Sequence, residues 1–343
     1  MLSDLNKPYI VAEISANHNG SLERAKLIMQ SAAANGASCV KLQTYTPDTM
    51  TIKSERDEFF IKSGLWKGYT LWDLYKNAHT PYEWHAELFN YAKELNIDCF
   101  STPFDETAVD LLEKLHCPFY KIASFELTDL PLIKYIAETG KPVVFSTGMA
   151  NKKEIDDAVD ILTKYGSGDY AILHCISGYP TPIDEINLET ISFLKDEYDC
   201  EIGISDHTKG TLVSTLSITY GVKIIERHFT LNRLDKSPDS EFSLEPSELK
   251  KLSSDVQSAF LSRGNKKIQI SEIEKENVKF RRSIYAVQGI KKGEKFTTTN
   301  IRRIRPNFGL EPRYYPQIID TCAQADIEKG EPIRLEHTFL NKE

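Results

Sequence analysis

No run of apolar residues approaches the roughly 20 that a membrane-spanning helix needs. The amino terminus, MLSDLNKPYI, has no basic region leading into an apolar stretch, so a signal peptide is not expected and the cytoplasm is the expected compartment. None of the six cysteines (Cys39, Cys99, Cys117, Cys175, Cys200, Cys322) forms a C-x-x-C pair. They read as small buried apolar residues of a reducing compartment. Positive charge is in deficit. Against 50 acidic residues stand 42 basic ones, a net charge of −8, which argues against a general nucleic-acid binder. An anionic substrate would therefore have to be met by local lysines. A glycine-rich phosphate loop is also missing: SANHNG stands where a doubly wound dinucleotide fold would carry one.

What is present is repetition. Eight short apolar runs recur: YIVAEIS (9–15), CVKLQT (39–44), DCFSTP (98–103), FYKIAS (119–124), PVVFST (142–147), YAILHC (170–175), EIGISDH (201–207) and VKIIERHF (222–229). Continuous apolar character over four to six residues is what a parallel strand buried on both faces requires. Helix signals lie between the runs. Ser21 is placed to cap SLERAKLIMQSAAANG, with Gly36 as its stop. Thr80-Pro81-Tyr82-Glu83 reads as a capping box, Asn151 with Glu154 as another, and Asn187 as the cap of NLETISFLKDEY. Strict alternation of strand and helix over about 250 residues predicts an α/β protein, a (β/α)8 or TIM barrel spanning 1–264. An open doubly wound sheet is the alternative.

The stretch from Tyr45 to His79 is too long for a simple strand-to-helix loop. It reads equally as a lid or specificity element at the barrel mouth or as an extra helix against its wall. Residues 265–280 are mostly polar and charged and read as a linker. From Arg281 the chain is turn-rich and repeats itself, with Ile-x-Lys-Gly-Glu at 290–294 and again at 327–331. The repeat suggests a small β domain, 281–343, with two related halves. Its core is thin enough that it is expected to lean on something larger.

Catalytic groups of such barrels gather at the C-terminal ends of the strands. The seventh and eighth runs end in His207 and His228, which a β-α-β unit brings to the same edge. Two imidazoles with open positions can hold a divalent ion that still accepts substrate. The remaining strand ends offer Glu13, Lys41, Gln43, Ser101, Thr102, Lys121, Ser124, Glu126, Ser146, Thr147, His174, Cys175, Ser205 and Glu226. Lysine is among the residues least often buried without a partner. Lys41 and Lys121 inside apolar strands therefore either pair with a carboxylate such as Glu13 or receive a phosphate or carboxylate, helped by the hydroxyls of Thr102, Ser124, Ser146 and Ser205. A Schiff-base lysine is a rival use, less economical beside a metal corner.

The same residues carry a resemblance. AEISANHNG (12–20), VKLQTYTPD (40–48), FSTPFD (100–105), YKIASFE (120–126), FSTGMA (145–150), HCISGYPTP (174–182), IGISDHT (202–208) and IERHFTL (225–231) resemble the sialic acid synthase family, in order and over nearly the whole chain. RRSIYA, IKKGE and IRPNFG resemble that family's antifreeze-like (SAF) domain. FFIKSGLW (59–66), LWDLYKNAHTPYEWH (71–85) and SLEPSELKKL look closest to its pseudaminic acid synthase branch.

The resemblance implies an enzyme that condenses phosphoenolpyruvate with an N-acetylated amino sugar. It implies a divalent metal on His207 and His228, with Mn2+ the usual ion and Mg2+ or Co2+ as alternatives. It gives Lys41, Thr102, Lys121, Ser124, Ser146, Ser205 and Ser177 to phosphoenolpyruvate, although many members have asparagine where Ser177 stands. Glu13, Gln43, Tyr179 and Asp239 match positions facing the sugar, and Glu126 is counted with these substrate groups. Glu13, Lys41 and Lys121 are the expected catalytic trio. Arg305, in IRPNFG, matches an arginine that reaches the site from a partner chain, which implies a domain-swapped homodimer. His18, Asp206 and Glu226 are expected to stand behind the site. Rival readings are N-acetylneuraminate or legionaminate synthesis by the same chemistry, a metal-dependent barrel hydrolase, and a non-catalytic glycan binder.

Overall fold

The computed structural model describes residues 5–340. Residues 1–4, part of the stretch weighed for a signal peptide, and 341–343, the end of the C-terminal domain, lie outside them. Two compact units divide after Gly264.

In the first unit, eight parallel strands close into a barrel: β1 (Tyr9–Glu13), β2 (Cys39–Thr44), β3 (Asp98–Pro103), β4 (Tyr120–Ile122), β5 (Val143–Ser146), β6 (Tyr170–Cys175), β7 (Glu201–Ser205) and β8 (Ile224–His228). Each falls within one of the apolar runs. Helices alternate with them, so both faces of every strand are covered and the continuous apolar pattern is used in full. The closing pair, β1 with β8, sets Glu13 beside His228, while β1 with β2 sets Glu13 beside Lys41. Register alone thus lines up Lys41, Glu13 and His228 across three neighbouring strand ends. Side chains alternate faces along a strand, so Glu226 shares His228's face and Gln43 shares Lys41's.

Two helix starts match the expectation. Ser21 Oγ accepts from Arg24 N at 3.2 Å. Asn151 and Glu154 form a reciprocal box, at 3.1 and 2.8 Å. Two do not. The Thr80 hydroxyl faces His18 Nε2 at 3.2 Å instead of the helix Tyr82–Glu94, whose N-cap is Pro81. Asn187 is in the left-handed region, φ 44°, and the helix Glu189–Glu197 starts beyond it with Leu188 at the cap and no side-chain bond. The cysteines also divide: Cys39, Cys99, Cys117 and Cys175 are buried, whereas Cys200 and Cys322 are only partly so. Among the described residues no helix is long and apolar enough to cross a membrane.

The second unit is built on an antiparallel pair, β9 (Ser283–Ala286) and β10 (Ile301–Ile304), over a core of Ile284, Ile290, Phe296, Ile301, Ile327 and Ile333. The stretch 265–280 falls in this unit and contains two short helical turns, Glu272–Lys275 and Val278–Phe280. The sequence repeat is one turn used twice. Gly293 and Gly330 take φ 86° and 90°, which favours glycine. Glu294 accepts from Lys291 N at 2.9 Å, and Glu331 accepts from Glu328 N at 3.0 Å. The two copies then pair: Ile290 N donates to Ile327 O at 2.9 Å and Ile327 N to Ile290 O at 2.8 Å.

Gly203 in β7 tests the barrel's tightness. A Cβ there would lie 2.6 Å from the Ile224 carbonyl oxygen and would also strike the Leu173 side chain. Gly203→Ala is expected to cost about 1–3 kcal/mol, read as a lowered midpoint in urea unfolding.

Candidate active site

The C-terminal mouth of the barrel holds a cavity of about 410 Å³, within the usual range for small-molecule sites. Its polar lining includes Lys41, Gln43, Lys121, Ser124, Glu126, Ser146, Tyr179, Ser205, His207, His228 and Asp239, all marked in the sequence. The floor is a chain of buried charges. Lys41 Nζ lies 2.6 Å from Glu13 Oε2 and 3.3 Å from Glu226 Oε1, and it donates to Thr102 Oγ1 at 3.2 Å. Lys121 Nζ donates to Glu226 at 3.2 and 3.3 Å and to Ser146 Oγ at 2.7 Å. Ser205 Oγ donates to the same carboxylate at 3.1 Å. Both lysines are thus partnered, and Glu226 is the carboxylate that partners both. Expected behind the site, Glu226 instead lines the cavity.

The charges within this chain are unequal. Burial pushes the Glu226 carboxyl up, but Lys121 and Lys41 outweigh it and hold the group well below the usual carboxylate range. Burial also pushes Glu13 up, Glu226 adds to that, and Lys41 offsets it only in part. The Lys41 ammonium loses by burial and gains more from Glu13 and Glu226, ending above its ordinary value. Lys121 loses more by burial than Glu226 returns. The two members of the 2.6 Å pair shift in the same direction, because Glu226 carries most of the negative charge for both lysines. Glu13 is left as the carboxyl that most readily takes a proton, and its Oε2 has no hydrogen-bond partner of proper geometry.

Glu13 is held from behind by Ser15, a residue that no sequence motif singles out. Ser15 has φ 46°, and strain of that kind collects at functional sites. Its N–H donates to Glu13 Oε1 at 2.6 Å and its hydroxyl donates to Asp239. Asp239, raised by burial, lies 3.9 Å from His228 Nδ1.

His207 and His228 stand with ring centroids 5.3 Å apart. His207 Nδ1 donates to the Ile176 carbonyl at 3.1 Å, which leaves Nε2 free to take a ligand. His228 Nδ1 is buried without a hydrogen-bond partner, and burial with His207 and Lys41 nearby keeps this imidazole neutral, the form a metal ligand needs. These residues fit a divalent ion. Among the described residues no three His, Cys, Asp or Glu converge as a cage, so the protein would supply two ligands and leave other positions to substrate and water.

Behind the imidazoles, Arg227 and Asp206 form a buried pair at 2.6 Å, and Arg227 also donates to the Gly210 and Thr208 carbonyls at 2.8 and 2.6 Å. That pair ties the end of β8 to the loop after β7, fixing the neighbours of both histidines. His18, neutral because burial lowers it to about 4, spans Gly20 N and Thr80 and stays behind the site as expected.

Ser177 lies close to Ser124, since a Cβ on Gly148 would strike both hydroxyls, and the Ser177 hydroxyl is itself buried and unpartnered. Arg305 belongs to the second unit, where it follows β10 and is exposed. The sequence did not single out Trp66 and Phe242. Trp66 Nε1 donates to the Pro238 carbonyl at 2.9 Å, and Phe242 packs against His228 with ring centroids 4.8 Å apart.

A parallel barrel with buried lysines, carboxylates and paired imidazoles converging on its mouth defines an enzyme of the metal-assisted or anion-binding kind, not a passive scaffold. A family model described as NeuB family matches residues 28–268, and one described as SAF domain matches residues 281–337. Pseudaminic acid synthase of Helicobacter pylori is 41% identical over 331 residues, covering 96% of this chain and 97% of that one. N,N'-diacetyllegionaminic acid synthase of Campylobacter jejuni is 36% identical, covering 96% and 100%. A crystal structure of N-acetylneuraminic acid synthetase from Leptospira borgpetersenii superposes with a TM-score of 0.73 at 31% identity, covering 82% of this chain and 95% of that one. The chain belongs to the NeuB family and is an enzyme of the sialic acid synthase type.

Glu126 yields a pH test. Burial pushes its carboxyl up to about 7, and one of its oxygens has no partner. The folded state then binds this proton more tightly than the unfolded chain does, so stability from this group is present at low pH and is lost as pH rises towards 7. Glu126→Gln removes the loss. Relative to the parent, its melting temperature is expected to rise between pH 5 and pH 7.5, read by thermal unfolding at both pH values.

Proposed function

We propose that the chain is a pseudaminic acid synthase, condensing phosphoenolpyruvate with 2,4-diacetamido-2,4,6-trideoxy-L-altrose. One observation carries the reading. Lys41, Lys121 and Glu226, with Glu13 paired to Lys41, stand in one cavity with the His207–His228 pair, an anion corner beside a carbonyl-activating corner, Glu13 itself lying outside the lining. The higher identity to pseudaminic acid synthase than to the legionaminic acid enzyme, 41% against 36%, supports the choice of sugar.

In this reading Lys41 and Lys121 hold the phosphate and carboxylate of phosphoenolpyruvate, with Thr102, Ser124, Ser146, Ser177 and Ser205 donating to its oxygens. Gln43, Tyr179, Asp239 and Glu126 orient the sugar. A divalent ion on His207 and His228, Mn2+ by preference, supplies Lewis-acid polarisation of the sugar aldehyde when bound. Carbon 3 of phosphoenolpyruvate attacks the aldehyde carbon, and positive charge develops at carbon 2, where water adds. Glu13, the cluster member readiest to take a proton, receives one from that water. Collapse of the tetrahedral centre breaks the C–O bond and releases phosphate, whose charge stays against the two lysines. The second unit is proposed to serve a neighbouring copy, with Arg305 contacting an acetamido group of the partner's sugar, in a cytoplasmic domain-swapped homodimer.

Glu13→Gln preserves shape and removes the proton acceptor. It is expected to keep the fold by circular dichroism and to lose turnover by a factor on the order of 100 or more. Near-normal turnover would remove Glu13 from the chemistry. The substrate is tested by offering phosphoenolpyruvate and Mn2+ with three sugars in parallel: the L-altrose sugar, 2,4-diacetamido-2,4,6-trideoxy-D-mannose and N-acetylmannosamine. Phosphate release and product mass with the first sugar alone, abolished by EDTA, are the expected result. Turnover with the D-mannose sugar alone would make the chain a legionaminate synthase.

A further inference from the structure

The cavity has two unlike walls. The barrel strands line it with Lys41, Lys121, Glu226, His207 and His228. The long excursion between β2 and the helix Tyr82–Glu94 lines it with Met50, Ile61, Leu71, Leu74 and Ala78 beside the rings of Tyr45, Trp66 and Tyr75, and Phe104 joins them after β3. The six apolar side chains, Met50, Ile61, Leu71, Leu74, Ala78 and Phe104, offer no hydrogen-bond donor and no acceptor stronger than the Met50 sulfur. Nor are they simply core: among them only Leu74 and Ala78 are buried in the chain itself.

The wall is fixed in place. Ile61 rides on a small hairpin, with Ile61 N donating to Tyr69 O and Gly68 N to Ile61 O, each at 3.0 Å. Trp66 ties the excursion to Pro238, and within it Trp72 Nε1 donates to Asp48 at 2.8 Å. Tyr45 and Tyr75, which line the same cavity, meet edge to face, 5.8 Å between centroids. A fixed apolar wall over a charged floor suits a substrate that is charged or hydroxylated on one side and methylated on the other. A hydroxymethyl group set against it would leave water and find no partner, which costs binding. A methyl group there would leave water with gain.

We infer that this wall, with Ile61 and Met50 as its side-chain contacts on the excursion, selects the sugar: it receives the methyl groups of a 6-deoxy, N-acylated substrate and rejects sugars with a free C6 hydroxyl. The inference rests on the proposed condensation and adds the element that reads the sugar. A trideoxy diacetamido sugar presents a methyl at C6 and one on each acetamido group, whereas N-acetylmannosamine presents a single acetyl methyl and a C6 hydroxyl. Of the two readings the sequence left open for this excursion, lid or specificity element and padding helix, the inference takes specificity.

The test compares kcat/KM for the L-altrose sugar and for N-acetylmannosamine in the parent, Ile61→Val, Ile61→Asn and Met50→Gln. The hairpin around Ile61 is held by backbone bonds, and Met50→Gln conserves length, so at least one polar variant is expected to fold, checked by melting temperature. Both polar variants are expected to lose on the order of 10-fold or more in discrimination between the two sugars, with Ile61→Val near the parent. The KM for phosphoenolpyruvate, held on the opposite wall, stays within about twofold. A parent that prefers the trideoxy sugar and folded polar variants that discriminate as well as it does would overturn this inference alone. A parent that prefers N-acetylmannosamine would overturn both the inference and the substrate reading beneath it.

Discussion

Two ammonium groups and two carboxyl groups are buried together at the C-terminal mouth of the barrel, and the site depends on that arrangement. Taking each such ion out of water costs several kcal/mol, which mutual attraction repays only with good geometry. Here the geometry is supplied by Glu226, which sits between Lys41 and Lys121 with Ser205 donating to it. A buried ion cluster is weak evidence for stability and better evidence for use. A cluster in which Glu226 is firmly ionised, Lys41 is firmly protonated and Glu13 is pushed towards neutrality favours an incoming anion.

The surroundings are arranged to hold these groups still. Barrel register puts Lys41, Glu13 and His228 side by side before any side chain is considered. Ser15, in a conformation that serine seldom adopts, fastens Glu13 and Asp239 together. Arg227 and Asp206, facing away from the cavity, lock the backbone that carries the two histidines. Each contact spends stability at the rim and leaves little freedom in the centre, as preorganised electrostatic sites require.

The strands were legible in the sequence because parallel strands covered on both faces read as unbroken apolar runs, against which Lys41 and Lys121 stand out. The histidines were legible because both end such runs. The standing of Glu226 was missed, although its signal was there: it precedes His228 by two residues, so the pleat must put both on one face. The helix starts at Thr80 and Asn187 failed for another reason. Capping patterns are local, and in the fold the Thr80 hydroxyl is taken by His18, 62 residues away in sequence, while Asn187 turns left-handed before its helix begins. For the 45–79 excursion the sequence left a lid or specificity element and a padding helix open, since its length does not say which of its side chains line the cavity. In the second unit the repeated Ile-x-Lys-Gly-Glu was readable as a repeat, but not the pairing of its two copies through Ile290 and Ile327.

The account turns on whether the buried lysines are an anion site. Calorimetric titration of phosphoenolpyruvate into the protein, without metal or sugar, tests this directly in the parent and in Lys121→Met, with circular dichroism to establish that the variant is folded. The account predicts binding in the parent and a loss on the order of 100-fold in the variant, because one charge-assisted contact is gone and Glu226 is left with fewer cations to balance it. A folded Lys121→Met protein that binds phosphoenolpyruvate as tightly as the parent would contradict it.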